Sequence, residues 1–155
     1  MAAATYIPTK LKKSQVTSAG PQLKLDTDTL VALIVVAGSG IPSTTSSGVQ
    51  YISDVTGSNA EMTYSGYSRK TLTGVTVAFD GTTSTYVDFS FANITFPQAA
   101  GDPGTGRYII IADTSVGSAD SSHPVLAVCD PGGTVSSAAG DLVLSSPTGG
   151  LIQWQ

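Results

Sequence analysis

Two aspartates set two residues apart, in "LKLDTDTLVALIVVAG" (residues 23–38), are the first place where this chain could do chemistry. Asp26 and Asp28 would share one side of an extended segment, and carboxylates so placed can begin a calcium site. A calcium loop of the D-x-D-x-D-G kind goes on to supply further oxygens and ends in a glutamate. Here Asp28 runs straight into Thr29, Leu30 and Val31. The expectation is therefore no metal and a role in turn chemistry, with Asp and Thr side chains bonding nearby backbone at a strand entrance.

The other candidates are sparse. His123, the single histidine, lies in the polar stretch "DSSHPV". A Ser-His-Asp triad is recognised by geometry and not by order, but no G-x-S-x-G elbow is present, and a solvated loop histidine is expected. Zinc needs about four N, S or O ligands, and one histidine with one cysteine falls short. Cys129, inside "VLAVCD", reads as a small buried hydrophobe, and its solitude excludes an internal disulfide. "AAGDPGTGR" has the glycines of a phosphate loop but lacks the Lys-Ser/Thr, and the strand-like "YIII" follows it, so it reads as a connection. Tyr6, Tyr51, Tyr64, Tyr67 and Tyr108 could stack on a sugar or a base, but no Lys or Arg interleaves with them as strand-borne recognition would require. These residues predict no catalytic group, no cofactor and no metal, and point away from an enzyme.

The elements that would position any site are predominantly strands. With 41% hydrophobic and 12% charged residues the chain is not of the disordered class, and its 20 Ser, 20 Thr and 17 Gly suit short strands joined by turns. "LVALIVVA" (residues 30–37) is apolar on both faces, as a central strand is, and is far too short to span a membrane. "GVTVAFDGTTSTYVDFSF" (residues 74–91) alternates on both sides of a turn, which predicts a hairpin with Val75, Val77, Phe79, Val87, Phe89 and Phe91 on one face. "RYIIIAD" and "PVLAVCD" repeat that arrangement, "DLVLS" and "LIQW" supply closing strands, and "GVQYISDV" allows one short helical turn. The prediction is an all-β, single-domain antiparallel β-sandwich or small β-barrel over residues 23–155, with an extended N-terminal arm over residues 1–22.

Charge is divided unevenly. Lys10, Lys12, Lys13 and Lys24 are the only charged residues before Asp26, and beyond Lys24 three cations face eleven acids. An acidic body of this kind excludes nucleic acid as a partner, because phosphates need clustered Lys and Arg. The arm is different: Lys10, Lys12 and Lys13 gather positive charge, while Tyr6 and Ile7 offer apolar surface. Those five are the expected partner-binding residues, set to order against a second copy or another acidic protein. "MAAATYIPTKLKKSQ" lacks the apolar core of a secretory signal, so synthesis in a cytoplasm is expected.

The order of segments resembles a family of small proteins encoded among the structural genes of tailed bacteriophages. A D-T-D-T-hydrophobic strand is matched by "LDTDTLVALIV", and an S-D-V element with a Tyr-Gly region and a T-L-x-x-x-T-V strand by "YISDVTGSNAEMTYSGYSRKTLTGVTV". An aromatic-rich strand, an R-Y-hydrophobic strand ending near D-T, and a final hydrophobic-polar-Trp are matched by "VDFSFANITF", "GRYIIIADTS" and "LIQW". Two departures stand out: Pro8 and Pro21 interrupt the region where relatives carry a helix, and Val31 stands where a lysine is often found. The resemblance implies a non-enzymatic virion protein, a decoration protein on the outer surface of the capsid. Its partners would be the major capsid protein and itself, with a homo-oligomer, a trimer for preference, expected at local symmetry axes. The alternative it leaves is a tail or fibre component, including an adhesin for a host surface.

Overall fold

A run of β-branched and aliphatic residues with no polar face can be buried only by covering it on two sides. Leu30–Val36 meets that condition as strand β2, with Leu30 to Val35 all buried. In the computed structural model residues 4–6, 24–36, 49–55, 60–79, 87–101, 104–146 and 152–154 are described. The strands are β1 (Ala4–Tyr6), β2 (Leu30–Val36), β3 (Lys70–Thr71), β4 (Thr76–Phe79), β5 (Val87–Ser90), β6 (Ile94–Phe96), β7 (Gly106–Asp113), β8 (Val125–Asp130), β9 (Leu142–Leu144) and β10 (Ile152–Trp154). Among the described residues, two 3-10 turns, Ile52–Asp54 and Asp120–Ser122, supply the helix, the first of them inside "GVQYISDV" as expected.

The protein is all-β and its pairings are antiparallel. One sheet has the order β1-β8-β7-β2-β3, a second β10-β5-β4, and a third pairs β6 with β9, so no barrel closes among the described residues. β7 and β8 form the expected hairpin, with Ile109 opposite Cys129 and Ile111 opposite Ala127. β2 lies beside β7, Ile34 opposite Ile109 and Leu30 opposite Asp113. Between Val125 and Ala127 the register shifts, which brings Leu126 and Ala127 into the same cluster although they are neighbours in sequence.

Alternation along β2 divides the core in two. Leu30, Ala32 and Ile34 join Phe89 of β5, Phe91, Ile94 and Phe96 of β6, Met62, Leu72 and Cys129. Val31, Leu33 and Val35 join Ile110, Ala112, Val125 and Val128, with Ile52 of the 49–55 segment over them. Cys129 is thus the buried hydrophobe that its apolar surroundings in sequence predicted.

Three expectations need amendment. The β4–β5 hairpin has the predicted register, Val77 opposite Phe89, yet Phe89 is fully buried while Val77 is 40% exposed. The reason is position: β5 is the middle strand of its sheet and β4 the edge. Second, Asp26 and Asp28 do not lie on an extended segment, because residues 25–28 form a turn. Third, Ala4–Tyr6, placed by sequence in the arm, supplies the edge strand β1 of the five-stranded sheet, with Thr5 opposite Cys129 and Tyr6 opposite Val128. Three residues are too few for alternation to be read against background. Residues 10–15, where the sequence allows a short helical turn, and the polar stretch "GSGIPSTTSSG" (residues 38–48), which reads as a surface loop, lie outside the described residues.

Two substitutions test this packing. Phe89→Ala should cost about 3 to 5 kcal/mol, whereas Val77→Ala should cost less than about 1 kcal/mol; urea unfolding of both reads the difference. A Cβ at Gly106 would meet Ile34 Cγ2 at 2.5 Å, Met62 Sδ at 2.8 Å and Val135 Cγ2 at 3.0 Å. Gly106→Ala should therefore lower stability by about 1 to 3 kcal/mol through overpacking, measured in the same way.

Candidate functional site

The exposed edge of β2 is closed by a segment that leaves and returns. Residues 60–62 run along the end of β2, with Val36 N–H donating to Ala60 O and Met62 N–H to Ile34 O at 2.9 and 2.8 Å. β3 covers the beginning, where Leu72 N–H reaches Leu30 O. Between these two contacts the backbone turns away, and the phenol of Tyr67 fills the gap. Its oxygen accepts the Ile34 N–H at 3.0 Å and its proton goes to Glu61 Oε1 at 3.0 Å. The ring stacks on Phe96 at 5.9 Å, and Tyr64 lies tilted against it at 5.2 Å. Burial, with Glu61 adding to it, pushes the Tyr67 phenol well above its ordinary value, so it acts as a permanent hydrogen-bond donor.

Arg69 extends this arrangement across the surface. Its Nε and Nη2 donate to the Glu61 carboxylate at 2.8 to 3.1 Å, and Nη1 and Nη2 to the two oxygens of Asp120 at 2.7 and 2.8 Å. The Asp120 and Glu61 hydrogen bonds hold the guanidinium in its charged form. In return the Arg69 hydrogen bonds hold the Asp120 carboxyl below its usual range, with a smaller contribution from His123.

His123 ends the chain of contacts, and here the sequence expectation is corrected. It is 7% exposed and buried, not a solvated loop residue. Backbone pairing draws it in, since His123 O accepts the Ile52 N–H and Pro124 bridges to Tyr51. Its Nδ1 lies 3.4 Å from Asp120 Oδ1, an ion-pair distance without hydrogen-bond alignment, and its Nε2 lies 3.4 Å from Gly117 O. The neighbouring Ser122 hydroxyl is spent on Ala119 O at 2.7 Å. The elements of a triad are therefore close in sequence but differently employed: the carboxylate faces an arginine, the hydroxyl faces backbone, and the imidazole is enclosed.

Several other charged side chains follow the same pattern, although Asp113 is fully buried with its Oδ2 unpartnered among the described residues. Arg107 grips Asp130 across β7 and β8 with both terminal nitrogens, donates to Gly133 O at 3.1 Å and lies 5.0 Å over the Tyr108 ring. Asp54 accepts the Gln50 and Tyr51 N–H groups at 2.9 Å each, and Asp141 accepts that of Gln98 at 2.7 Å. Asp28 accepts the Lys24 N–H at 2.7 Å, and the Thr27 hydroxyl donates to Lys24 O, which is the turn chemistry expected of the opening motif. Asp26 is exposed. The D-T-D-T and D-T-S motifs meet where β2 starts and β7 ends: Thr114 donates twice to Thr29 O, and the Ser115 hydroxyl accepts the Thr29 N–H.

Of the residues expected to bind a partner, Tyr6 lies in β1, and its side chain is outside the described residues, as are Ile7, Lys10, Lys12 and Lys13. What the sequence reading missed is the Tyr67–Glu61–Arg69–Asp120 network. A signal was present: Arg69 and Arg107 are the only arginines, each in an acidic body, and each was bound to find carboxylates. Among the described residues, no group of three or more His, Cys, Asp or Glu is placed to hold a metal ion, and no helix is long and apolar enough to cross a membrane.

The network predicts a pH signature. Because the Asp120 carboxyl is held below its ordinary value, its stabilisation is present above about pH 4 and is lost as pH falls through the lower, folded value. Wild type should therefore exceed Asp120→Asn in stability at neutral pH, by no more than about 1 kcal/mol since the pair is partly solvated, and the two should converge in acid. Arg69→Met should cost more, about 1 to 3 kcal/mol, because Glu61 is left beside the buried phenol. Thermal melts across the acid range check both.

Compared with protein-family models, curated proteins and solved structures, the chain gives no significant match to any of the three.

Proposed function

We propose that this chain is a non-enzymatic bacteriophage virion protein that decorates the outer surface of the capsid, bridging neighbouring major capsid subunits. The observation that carries the reading is how the polar groups of the described body are used. Both arginines are locked into carboxylate pairs, and Asp28, Asp54 and Asp141 cap backbone N–H groups. Acids and bases so engaged are structural ties, and a body built in this way suits passive attachment better than turnover. The segment order that resembles phage structural proteins supplies the setting. In that setting many copies bind identical sites, so weak individual contacts add to a large effect on the shell.

Attachment would draw on the basic arm. Lys10, Lys12 and Lys13 carry the dense positive charge of an otherwise acidic chain and suit an acidic neighbour. Deleting residues 1–13 would also remove β1 from its sheet, so charge reversal is the cleaner test. Lys10, Lys12 and Lys13 changed together to Glu should reduce co-sedimentation with undecorated heads more than their change to Ala, with the melting temperature unchanged. Binding of the wild type should weaken as salt shortens the screening length to about 8 Å and below. Quantitative mass spectrometry of virions should count hundreds of copies; a dozen or fewer would place the protein in a fibre, collar or tail tip instead. Equal binding by all variants at both salt concentrations would remove the arm from the attachment.

A further inference from the structure

The sheets end in strands of unequal character. β3 has two residues and carries Lys70, while β1, β6, β9 and β10 have three residues each. Shortness and charge are the ordinary means by which exposed sheet edges are kept from pairing with other chains. β4 has neither. It is four residues long, Thr76-Val77-Ala78-Phe79, and the whole stretch from Thr71 to Phe79 contains no charge and no proline. Its register with β5 runs without a bulge, so nothing twists the edge away.

Exposure agrees with this. Thr76, Val77 and Ala78 are all exposed, on both faces of the strand, and Val77 is 40% exposed although its cross-strand neighbour Phe89 is fully buried. The inner side of β4 is fixed to β5 by the ladder and by the contact of the Thr76 and Ser90 hydroxyls at 2.6 Å. On the outer side no described strand pairs with it. Among the described residues, a neutral, regular β4 therefore has an outer edge that no strand pairs with, and a valine that is 40% exposed.

Charge decides the occupant. Beyond Lys24 the chain carries three cations against eleven acids, so two copies repel over most of their surface, and the charge-free stretch of residues 71–79 is where that repulsion is least. A basic partner would find no carboxylate within this stretch. We propose that β4 is the surface through which two copies of this chain associate, pairing antiparallel with each other across a two-fold axis. The register that covers the exposed valine sets Val77 against Val77 on the axis, with Thr76 across from Ala78 and Val75 across from Phe79. No like charges meet, and the two three-stranded sheets become one of six strands, β10-β5-β4 continued by β4-β5-β10 of the second copy. Such a self-complementary contact closes at two copies. It stands on this edge alone and does not depend on a place in a virion.

Sedimentation equilibrium of the full chain tests it. The wild type should approach twice the chain mass of 15.7 kDa as concentration rises through the micromolar range. Val77→Lys places like charges directly opposite each other and should weaken association by more than about tenfold. Val143→Lys, at a valine that is 50% exposed on the two-stranded sheet, should leave association unchanged and so separates this edge from general stickiness. Val77→Cys should form a disulfide-linked dimer when an oxidant is added, which gives a second readout should the lysine variant fail to fold. A monomer at all concentrations, a trimer, equal weakening by Val143→Lys, or failure of Val77→Cys to cross-link would overturn the proposal.

Discussion

A strand that is apolar on both faces must be covered twice, and most of this structure is the consequence of covering β2. One face of Leu30–Val35 is met by aromatic side chains from β5 and β6; the other, continuous with Ile110, Ala112, Val125 and Val128 of the same sheet, is met by the segment around Ile52. Neighbouring strands on both sides are equally constrained, because a slip of one residue would exchange the two faces of β2 and unmatch both clusters at once. The close approach at Gly106 belongs to the same constraint: Ile34, Met62 and Val135 converge there, and only the absence of a side chain lets them.

Edges of so central a strand cannot be left open, and the chain uses two different solutions. On one side β7 provides a ladder along the whole of β2, with one register shift between Val35 and Val36. On the other β3 and residues 60–62 provide an interrupted one, and Tyr67 supplies the missing acceptor with its phenol. A tyrosine placed in this way needs its own proton accepted, which positions Glu61, and the resulting carboxylate needs a cation, which positions Arg69 and through it Asp120. The ion-pair network is thus an outgrowth of backbone satisfaction at β2, and it ties the loop after β7 to the segment before β3.

Much of the fold was legible because it rests on short-range patterns. The double-faced run at residues 30–36, the alternation in 76–79 and 87–90, and the hairpin of 107–113 with 124–130 each carry their periodicity within the strand. Less was legible where the outcome depends on position within a sheet. Val77 and Phe89 alternate equally well, but one sits on an edge strand and the other on a middle strand. β1 was hidden by its three residues, since a strand this short is specified by the free edge of β8 and not by its own pattern. The polar network was hidden for a related reason: Glu61, Arg69 and Asp120 are spread over 60 positions, and only their pairing with the β2 edge brings them together.

His123 gives the clearest division between the two sources. Its sequence neighbours are polar, and local composition describes a solvated loop. Its burial follows from contacts with Tyr51 and Ile52, more than 70 residues away, which draw the loop under the sheet. The sequence by itself determined that this chain is all-β, that β2 is buried on both faces, that the Asp/Thr motif before it makes turn contacts, and that its positive charge is concentrated near one end. Tertiary structure alone decided which strands became edges, which of two equivalent hydrophobic residues was covered, and which acid met which arginine. Periodicity is a local property of the chain, whereas edge, burial and ion pairing are relations between segments that acquire meaning only when the sheets assemble.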